Sequence, residues 1–270
     1  MRRRLISSLI LAAIGLPAIL LGGLFYYLLM GTFLIGAAWE YVHLFRAMKF
    51  EPQLHITLVG VALITMTRMF FPEYAQPVFV ASILAAMAYH LVIYERGRDQ
   101  SALDFCITVG GLTYIGWIGS YLLDLRNLPQ GGWWFFLVMF CIWLADSGAY
   151  FIGRAYGKHK MAPRLSPKKS WEGYAASAFT GMISGAFYVY IFKSHGSLIS
   201  NITIWQGALL GLILGSVTPL GDLGESMIKR QSGIKDSSDI IPGHGGFFDR
   251  IDSWIWGAVI GFYFLKWFIL

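Results

Sequence analysis

The chain has 270 residues, of which 56% are apolar and only 13% are charged, and its formal net charge is +6. So few charges exclude an ordinary soluble globular protein, in which about 25% of the residues are charged. Apolar runs of about 20 residues recur, and each is long enough to cross a hydrocarbon core as a helix. We therefore predict an all-α polytopic membrane protein, whose net charge reflects its membrane topology and not a nucleic-acid partner.

The apolar runs predict about nine transmembrane helices. Their approximate ranges are 5–23, 25–47, 53–71, 75–95, 102–124, 131–153, 172–193, 203–226 and 252–270. We predict that the N-terminus is cytoplasmic and the C-terminus outside. This topology places 17 of the 21 Lys and Arg residues on the cytoplasmic side, as the positive-inside rule requires. The other four fall outside: Arg68, Arg126, Lys193 and Lys266.

The two long connections, at about 154–171 and 227–251, are both cytoplasmic in this topology. We predict an N-terminal region of transmembrane helices, residues 1–100, that faces lipid or mediates oligomerisation. The C-terminal region, residues 101–270, contains both long loops. Gly207, Gly211 and Gly215 are spaced by four on one helix face, which predicts close helix packing and permits a homodimer.

Carboxylates within or beside the predicted spans need an explanation, because an unpaired charge in a membrane is costly. We predict that Glu40 pairs with His43 or Arg46, with a lipid-headgroup contact as the alternative. Asp104 is predicted to lie at the membrane interface without a functional role.

Three further acids, Asp146, Asp222 and Glu225, lie near the cytoplasmic ends of their helices, just before the two long loops. Asp222 and Glu225 are three residues apart and share a helix face. Acids that converge repel one another unless a cation lies between them, and oxygen-only ligands favour Mg²⁺ or a similar hard ion. The alternative is that these are hydrated interfacial acids.

Both long loops carry the groups that a phosphate site needs. Around Ser166-Pro167 the first loop has four lysines: Lys158, Lys160, Lys168 and Lys169. The second loop surrounds its glycine cluster with basic residues: Lys229, Arg230, Lys235 and Arg250. Glycines allow backbone N–H groups to approach an anion closely. Asp249 and Asp252 follow at the start of the last helix, where Asp252 is alternatively an N-cap. This combination suits metal-assisted chemistry on phosphates.

The stretch Ser226–Asp252 reads SMIKRQSGIKDSSDIIPGHGGFFDRID and resembles the phosphatidate cytidylyltransferase (CDP-diacylglycerol synthase) family. The family pattern there is approximately S-x-φ-K-R-x4-K-D-x-small-x2-φ-P-x-H-G-G-φ-x-D-R-φ-D, where φ is apolar, and this sequence meets every specified position. The segments ADSGAYFIGRAYGKHK at 145–160 and SPKKSWEG at 166–173 also resemble the family, with Ser147 and Ser170 where threonine is expected. Residues 1–100 agree only in being transmembrane.

The resemblance implies a CTP:phosphatidate cytidylyltransferase in the cell (inner) membrane, with its active site facing the cytoplasm. CTP and phosphatidic acid are the implied substrates and Mg²⁺ the implied cofactor, with a second cation left open. The implied metal ligands are Asp222 and Asp249, with Asp146 and Glu225 in or next to the metal shell. The implied catalytic residues also include Lys229, Arg230 and His244, and His244 is expected to contact a phosphate or orient the loop rather than act as a base. The implied substrate-binding residues are Ser166, Lys168, Lys169, Lys235, Gly245, Gly246, Arg250 and Asp252.

Two alternatives stay open at this point. Intramembrane acids also mark ion pathways, so a secondary transporter is one alternative. Transporters place such acids near the midplane, however, whereas here they gather at one face. The other alternative is a cytidylyltransferase or kinase that acts on another membrane lipid, such as a polyprenyl or archaeal ether lipid.

Overall fold

A computed structural model describes residues 2–194, 201–235, 237–238, 240 and 245–270. The chain is mostly helical. Its α-helices are α1 (Arg2–Leu21), α2 (Gly23–Ala47), α3 (Leu54–Phe70), α4 (Pro72–Glu95), α5 (Ser101–Gly111), α6 (Tyr121–Asn127), α7 (Gly131–Tyr156), α8 (Trp171–Ser194), α9 (Ile204–Val217), α10 (Pro219–Ser232) and α11 (Phe248–Phe268). A π-helical segment, Leu112–Ile118, lies between α5 and α6, and two short strands, β1 (Lys160–Ala162) and β2 (Ser166–Ser170), lie between α7 and α8.

Six helical stretches among the described residues are long and apolar enough to cross a membrane, so the chain is a multi-pass membrane protein. They are Gly23–Ala47, Pro72–Glu95, Ser101–Asn127, Gly131–Tyr156, Trp171–Lys193 and Ile204–Ser232. Ala12–Leu21 and Leu54–Phe70 are apolar but shorter. Each of the nine predicted spans falls on helical structure, while six meet the requirement for length and hydropathy.

Both predicted long connections contain regular secondary structure. Most of 154–171 is ordered, because α7 continues to Tyr156 and β1 pairs with β2 as an antiparallel hairpin. The region 227–251 begins inside α10, which continues to Ser232, and α11 already begins at Phe248. The predicted span 203–226 is two helices, because Pro219 begins a new helix: proline has no N–H to donate and is favoured at a first helical position.

The chain divides into two compact units. The first unit comprises Met1–Asp124 and Ile228–Ile251. Inside it, the fully buried Tyr26 donates its hydroxyl to the Leu122 carbonyl at 2.8 Å. Asp104 is also fully buried, accepting the Glu51 N–H at 2.7 Å and pairing with Arg98 at 2.6 Å. Asp104 therefore has a structural role, since it joins two connections of this unit. Its position at the membrane interface and its lack of a functional role stay predictions.

The second unit comprises Leu125–Met227 and Asp252–Leu270. Its helices α8 and α9 approach so closely that their backbones touch. A Cβ on Gly211 would lie 2.0 Å from the Gly181 carbonyl oxygen, and one on Gly207 would lie 2.6 Å from that of Gly185. The predicted close packing of Gly207, Gly211 and Gly215 is thus confirmed. Its partner is α8 of the same chain, so these glycines lend no support to a homodimer.

Candidate active site

The predicted site residues are divided between the two units. The first unit holds Lys229, Arg230, Lys235, Gly245, Gly246, Asp249 and Arg250. The second unit holds Asp146, Ser166, Lys168, Lys169, Asp222, Glu225 and Asp252. His244 lies outside the described residues. Each unit contains one compact cluster of these side chains, and the two clusters differ in character.

The cluster of the second unit is an acidic pair with one lysine. Lys169 at the end of β2 contacts Asp222 in the first turn of α10, with Nζ and Oδ2 2.7 Å apart. The same ammonium group donates to the Pro219 carbonyl at 3.2 Å. Asp146 on α7 lies within electrostatic range of both Asp222 and Lys169. Asp146 is exposed and the Asp222 side chain is 42% exposed, so this cluster is accessible from outside the protein.

Local structure positions these three side chains. α10 starts at Pro219, so Asp222 lies at a helix N-terminus, where the exposed backbone N–H groups favour negative charge. α7 packs tightly on α8 near Asp146, since a Cβ on Gly148 would lie 2.4 Å from the Thr180 Oγ1. The β1–β2 hairpin directs Lys169 towards α10, and Lys169 is half-buried while its neighbour Lys168 is exposed.

The hairpin is anchored by residues that sequence reasoning did not assign. Glu172 accepts the N–H groups of Lys158 and His159 at 3.2 Å, and its Oε1 lies 2.6 Å from the His159 ring. Ser170 accepts the Gly173 N–H at 3.2 Å, as an N-cap of α8 does. Both residues belong to the segment SPKKSWEG, and a serine directly before the apolar helical run was the available signal of an N-cap.

The cluster of the first unit is an ion pair enclosed by a loop. Lys229 in the last turn of α10 and Asp249 in the first turn of α11 lie 2.5 Å apart. Their side chains are 12% and 10% exposed. The second oxygen of Asp249 accepts the N–H and hydroxyl of Ser237 at 3.1 and 2.7 Å, and the N–H of Gly246 at 2.9 Å.

These contacts determine the charge of Asp249. Burial by itself would raise the pKa of its carboxyl, but the hydrogen bonds from Lys229, Gly246 and Ser237 lower that pKa to about 2. Asp249 is therefore ionised at neutral pH, and its charge is matched by the ammonium group of Lys229.

The two predicted glycines are needed for this arrangement. Gly245 has a φ of +81°, in the left-handed region that favours glycine. A Cβ on Gly246 would lie 2.2 Å from the Ser237 hydroxyl oxygen and 2.3 Å from a carboxylate oxygen of Glu40. The prediction that Glu40 pairs with His43 or Arg46 is wrong, because its carboxylate faces Ser237, Ser238 and the start of α11.

The other predicted residues differ in how far they are exposed. Lys168, Arg230 and Lys235 are exposed, Ser166 and Arg250 are half-buried, and Glu225 is buried. Asp252 is buried within α11, which begins four residues earlier at Phe248, so the alternative that Asp252 is the N-cap is wrong. Its Oδ1 accepts the N–H of Ser253 at 2.5 Å.

The donor sets differ in their fit to Mg²⁺. Among the residues that the structure describes, no three His, Cys, Asp or Glu side chains form a group that could hold a metal ion by themselves. Proteins usually bind Mg²⁺ through one or two carboxylates together with substrate phosphates and water. Asp146 and Asp222 fit that mode, since they are two accessible acids in mutual electrostatic range. The oxygens of Asp249, in contrast, already accept hydrogen bonds from the Lys229 ammonium group and from the N–H groups of Ser237 and Gly246, and they share the Ser237 hydroxyl proton with Glu40.

Comparison with known proteins gives a match along nearly the whole chain. Residues 2–268 match the Cytidylyltransferase family. Relatives include the phosphatidate cytidylyltransferase of Pseudomonas aeruginosa, 37% identical over 94% of this chain and 92% of that protein. That of Synechocystis is 30% identical over 97% of this chain and 96% of that protein. The Haemophilus influenzae enzyme is 45% identical over a shorter match, covering 53% of this chain and 49% of that protein.

Proposed function

Because the chain belongs to the Cytidylyltransferase family, we propose that it is a CTP:phosphatidate cytidylyltransferase. It transfers CMP from CTP to phosphatidic acid and yields CDP-diacylglycerol and pyrophosphate. Three relatives that carry this activity in their names align over almost the full length of both chains. The structural observation that carries the proposal is the accessible acidic pair of Asp146 and Asp222 with Lys169 beside it.

The chemistry requires charge neutralisation more than a strong base. A phosphate oxygen of phosphatidate attacks the α-phosphorus of CTP, a new P–O bond forms, and the bond to the β-phosphate breaks as pyrophosphate leaves. The phosphate monoester dianion is already a nucleophile, so no proton has to be removed. Alignment and electrostatic stabilisation of the transferring group then supply the catalysis.

In the second unit, Asp146 and Asp222 would hold Mg²⁺ together with oxygens of the triphosphate. Mg²⁺ supplies Lewis-acid stabilisation of charge on the phosphates when it is bound. Lys169, positioned by β2 and by the Pro219 carbonyl, supplies a fixed positive charge beside this pair. Lys168 and Ser166 lie on the same strand and contact the outer phosphates.

In the first unit, Lys229 supplies a second fixed positive charge, and Asp249 holds its ammonium group in place. This assigns Asp249 to positioning rather than to the metal shell, since its oxygens are occupied by donors. Arg230, Lys235 and Arg250 contribute positive charge, and the backbone of Gly245 and Gly246 borders the same cluster. His244 keeps its predicted role as a phosphate contact.

We further propose the topology of about nine spans in the inner membrane, with the N-terminus and both clusters on the cytoplasmic side. The distribution of Lys and Arg supports it. CTP is cytosolic, whereas the acyl chains of phosphatidate stay in the bilayer, so a site at this face meets both substrates. Lys168→Cys and Lys235→Cys in a Cys106→Ala/Cys141→Ala background should stay unlabelled by an impermeant maleimide in intact cells and become labelled in inverted vesicles. Labelling in intact cells would show that the proposed orientation is wrong and that these residues lie outside.

The activity itself is tested with purified protein in micelles, labelled CTP and Mg²⁺. Phosphatidic acid should give labelled CDP-diacylglycerol and stoichiometric pyrophosphate, and a polyprenyl phosphate should give no product. A product from the polyprenyl phosphate alone would change the assigned lipid. If neither acceptor gives a CDP-lipid, the proposal is contradicted and the transporter alternative is favoured.

A further inference from the structure

Glu40 is a fully buried carboxylate on α2, a helix for which the family resemblance assigns no role. Each of its oxygens lies within hydrogen-bond distance of two donor groups. Oε1 accepts the Ser238 hydroxyl at 2.5 Å and the Phe247 N–H at 2.9 Å. Oε2 accepts the Phe248 N–H at 2.7 Å and lies 2.9 Å from the Ser237 hydroxyl, whose single proton it shares with Asp249. All four donors lie in the stretch Ser226–Asp252, about 200 residues away in sequence.

This geometry explains why an acid is tolerated in the interior. A buried carboxylate is stabilised when it accepts two or three N–H bonds, and the first N–H groups of a helix have no partner within the helix. Phe248 is the first residue of α11. Glu40 therefore caps α11 from a different helix, and the dipole of α11 favours its negative charge.

The carboxylate is connected to Lys229 through two intermediate residues. The Ser237 hydroxyl oxygen lies 2.9 Å from Glu40 Oε2 and 2.7 Å from Asp249 Oδ2. The other oxygen of Asp249 contacts the Lys229 ammonium group at 2.5 Å. Glu40, Ser237, Asp249 and Lys229 thus form a continuous chain of polar contacts within the first unit, and its far end is the proposed phosphate-binding cation.

The backbone packs closely around this series of polar contacts. A Cβ on Gly246 would lie 2.3 and 2.4 Å from the two oxygens of Glu40. A Cβ on Gly245 would lie 2.7 Å from Asp249 Oδ2. The two glycines of the motif thus leave room for the two carboxylates, which gives them a role in addition to contact with an anion.

From these contacts we infer that Glu40 is a positioning residue for catalysis: through Ser237 and Asp249 it holds the Lys229 ammonium group in the place where it meets substrate phosphate. The inference rests on the proposed function for the meaning of Lys229. It gives α2, within residues 1–100, an indirect part in the active site in addition to membrane anchoring or oligomerisation.

The test uses the full-length protein and the variant Glu40→Gln. Glutamine keeps the shape of the side chain but places an NH₂ group against N–H and O–H donors. We expect kcat to fall about 10- to 100-fold, the usual loss when a group that orients a site residue is removed. KM for CTP should change little, because the proposed Mg²⁺ and triphosphate residues lie in the other unit. Glu40→Asp, which keeps the charge, should recover part of kcat.

A matched control separates positioning from stability. Asp104→Asn removes another fully buried carboxylate of the same unit, paired with Arg98 and outside the chain of contacts. It should lower the melting temperature at least as much as Glu40→Gln while the folded fraction keeps its kcat. If the two variants lose activity only in proportion to their unfolded fraction, Glu40 is merely structural and the inference is wrong.

A readout independent of turnover follows Lys229 itself. The rate at which acetic anhydride modifies Lys229, measured by mass spectrometry, should rise in Glu40→Gln and stay at the wild-type value in Asp104→Asn. An unchanged rate in Glu40→Gln would overturn the inference whatever happens to turnover. If the wild-type protein makes no CDP-lipid while the rate still rises, the proposed function fails and the positioning of Lys229 by Glu40 stands.

Discussion

Three acids of the first unit and the acidic pair Asp146 and Asp222 of the second unit have opposite surroundings. In the first unit, Glu40 and Asp104 are fully buried and the Asp249 side chain is 10% exposed. Each of them accepts hydrogen bonds, and Asp104 and Asp249 also form ion pairs. In the second unit, Asp146 is exposed and Asp222 is 42% exposed, with another acid in electrostatic range.

This contrast separates two uses of a carboxylate in a membrane protein. A buried acid with all its acceptors occupied is stable as a fixed part of the structure, and a ligand would have to displace its donors first. Two accessible acids that repel each other are stabilised by an arriving cation. The buried acids of the first unit therefore hold and orient neighbouring groups, whereas the accessible pair of the second unit can bind a cation. The following variants test that difference.

The largest effect is expected for Asp222→Asn. Removing one of two Mg²⁺-binding charges should lower kcat by about 10²–10³-fold, as for other electrostatic groups that act on a transition state, and should raise the Mg²⁺ concentration needed for half-maximal rate. Steady-state assays over a Mg²⁺ series measure both. Asp99→Asn, an exposed acid outside both clusters, serves as the control. Near-normal turnover of Asp222→Asn would contradict the metal assignment.

A smaller loss of turnover, with a clear loss of stability, is expected for Asp249→Asn. Breaking a largely buried ion pair costs about 3–5 kcal/mol, because it leaves the Lys229 charge uncompensated. Thermal unfolding in micelles reports this loss, and Lys229→Gln combined with Asp249→Asn should recover part of it. The Mg²⁺ dependence should stay at the wild-type value. A shift as large as that of Asp222→Asn would place Asp249 in the metal shell, as the family resemblance implied.

An effect on stability alone is expected for Gly211→Ala in the second unit. Its new Cβ would collide with the Gly181 backbone, and overpacking of this kind costs about 1–3 kcal/mol. Gly15→Ala in α1, where a Cβ meets nothing within 4 Å, should instead stabilise the helix by about 0.5–1 kcal/mol. Unfolding curves of the two variants in the same detergent should shift in opposite directions. Equal shifts would mean that the contact between α8 and α9 relaxes without cost.

The smallest effect is expected for Glu172→Gln. The variant removes the charge that holds the backbone of Lys158 and His159 at the base of the hairpin, so Lys168 and Lys169 become less well positioned. KM for CTP should rise slightly while kcat is retained. Glu73→Gln, at the exposed start of α4, should change neither constant. A large fall in kcat would show that Glu172 acts on the reacting groups directly.

Much of the local structure could be predicted from the sequence, because hydrophobic runs and helix-breaking residues act over short distances. The predicted helix near 131–153 corresponds to α7. The spacing of Gly207 and Gly211 predicted that their helix packs closely against another helix. The hairpin at 160–170 was missed, since a pair of strands this short has no periodic signal. The partners of Glu40 were missed as well. Spacing along a helix predicts contacts only between residues that are close in sequence.

The sequence by itself determined that this chain is a helical membrane protein, which residues are charged where apolar ones are expected, and to which family they correspond. Those properties depend on composition and on spacing along the chain. Only the tertiary structure decided which acids are saturated and which are accessible, because hydrogen-bond donors reach a carboxylate by folding. The N–H of Phe247 reaches Glu40 across 207 residues of sequence, and no local pattern records such a contact.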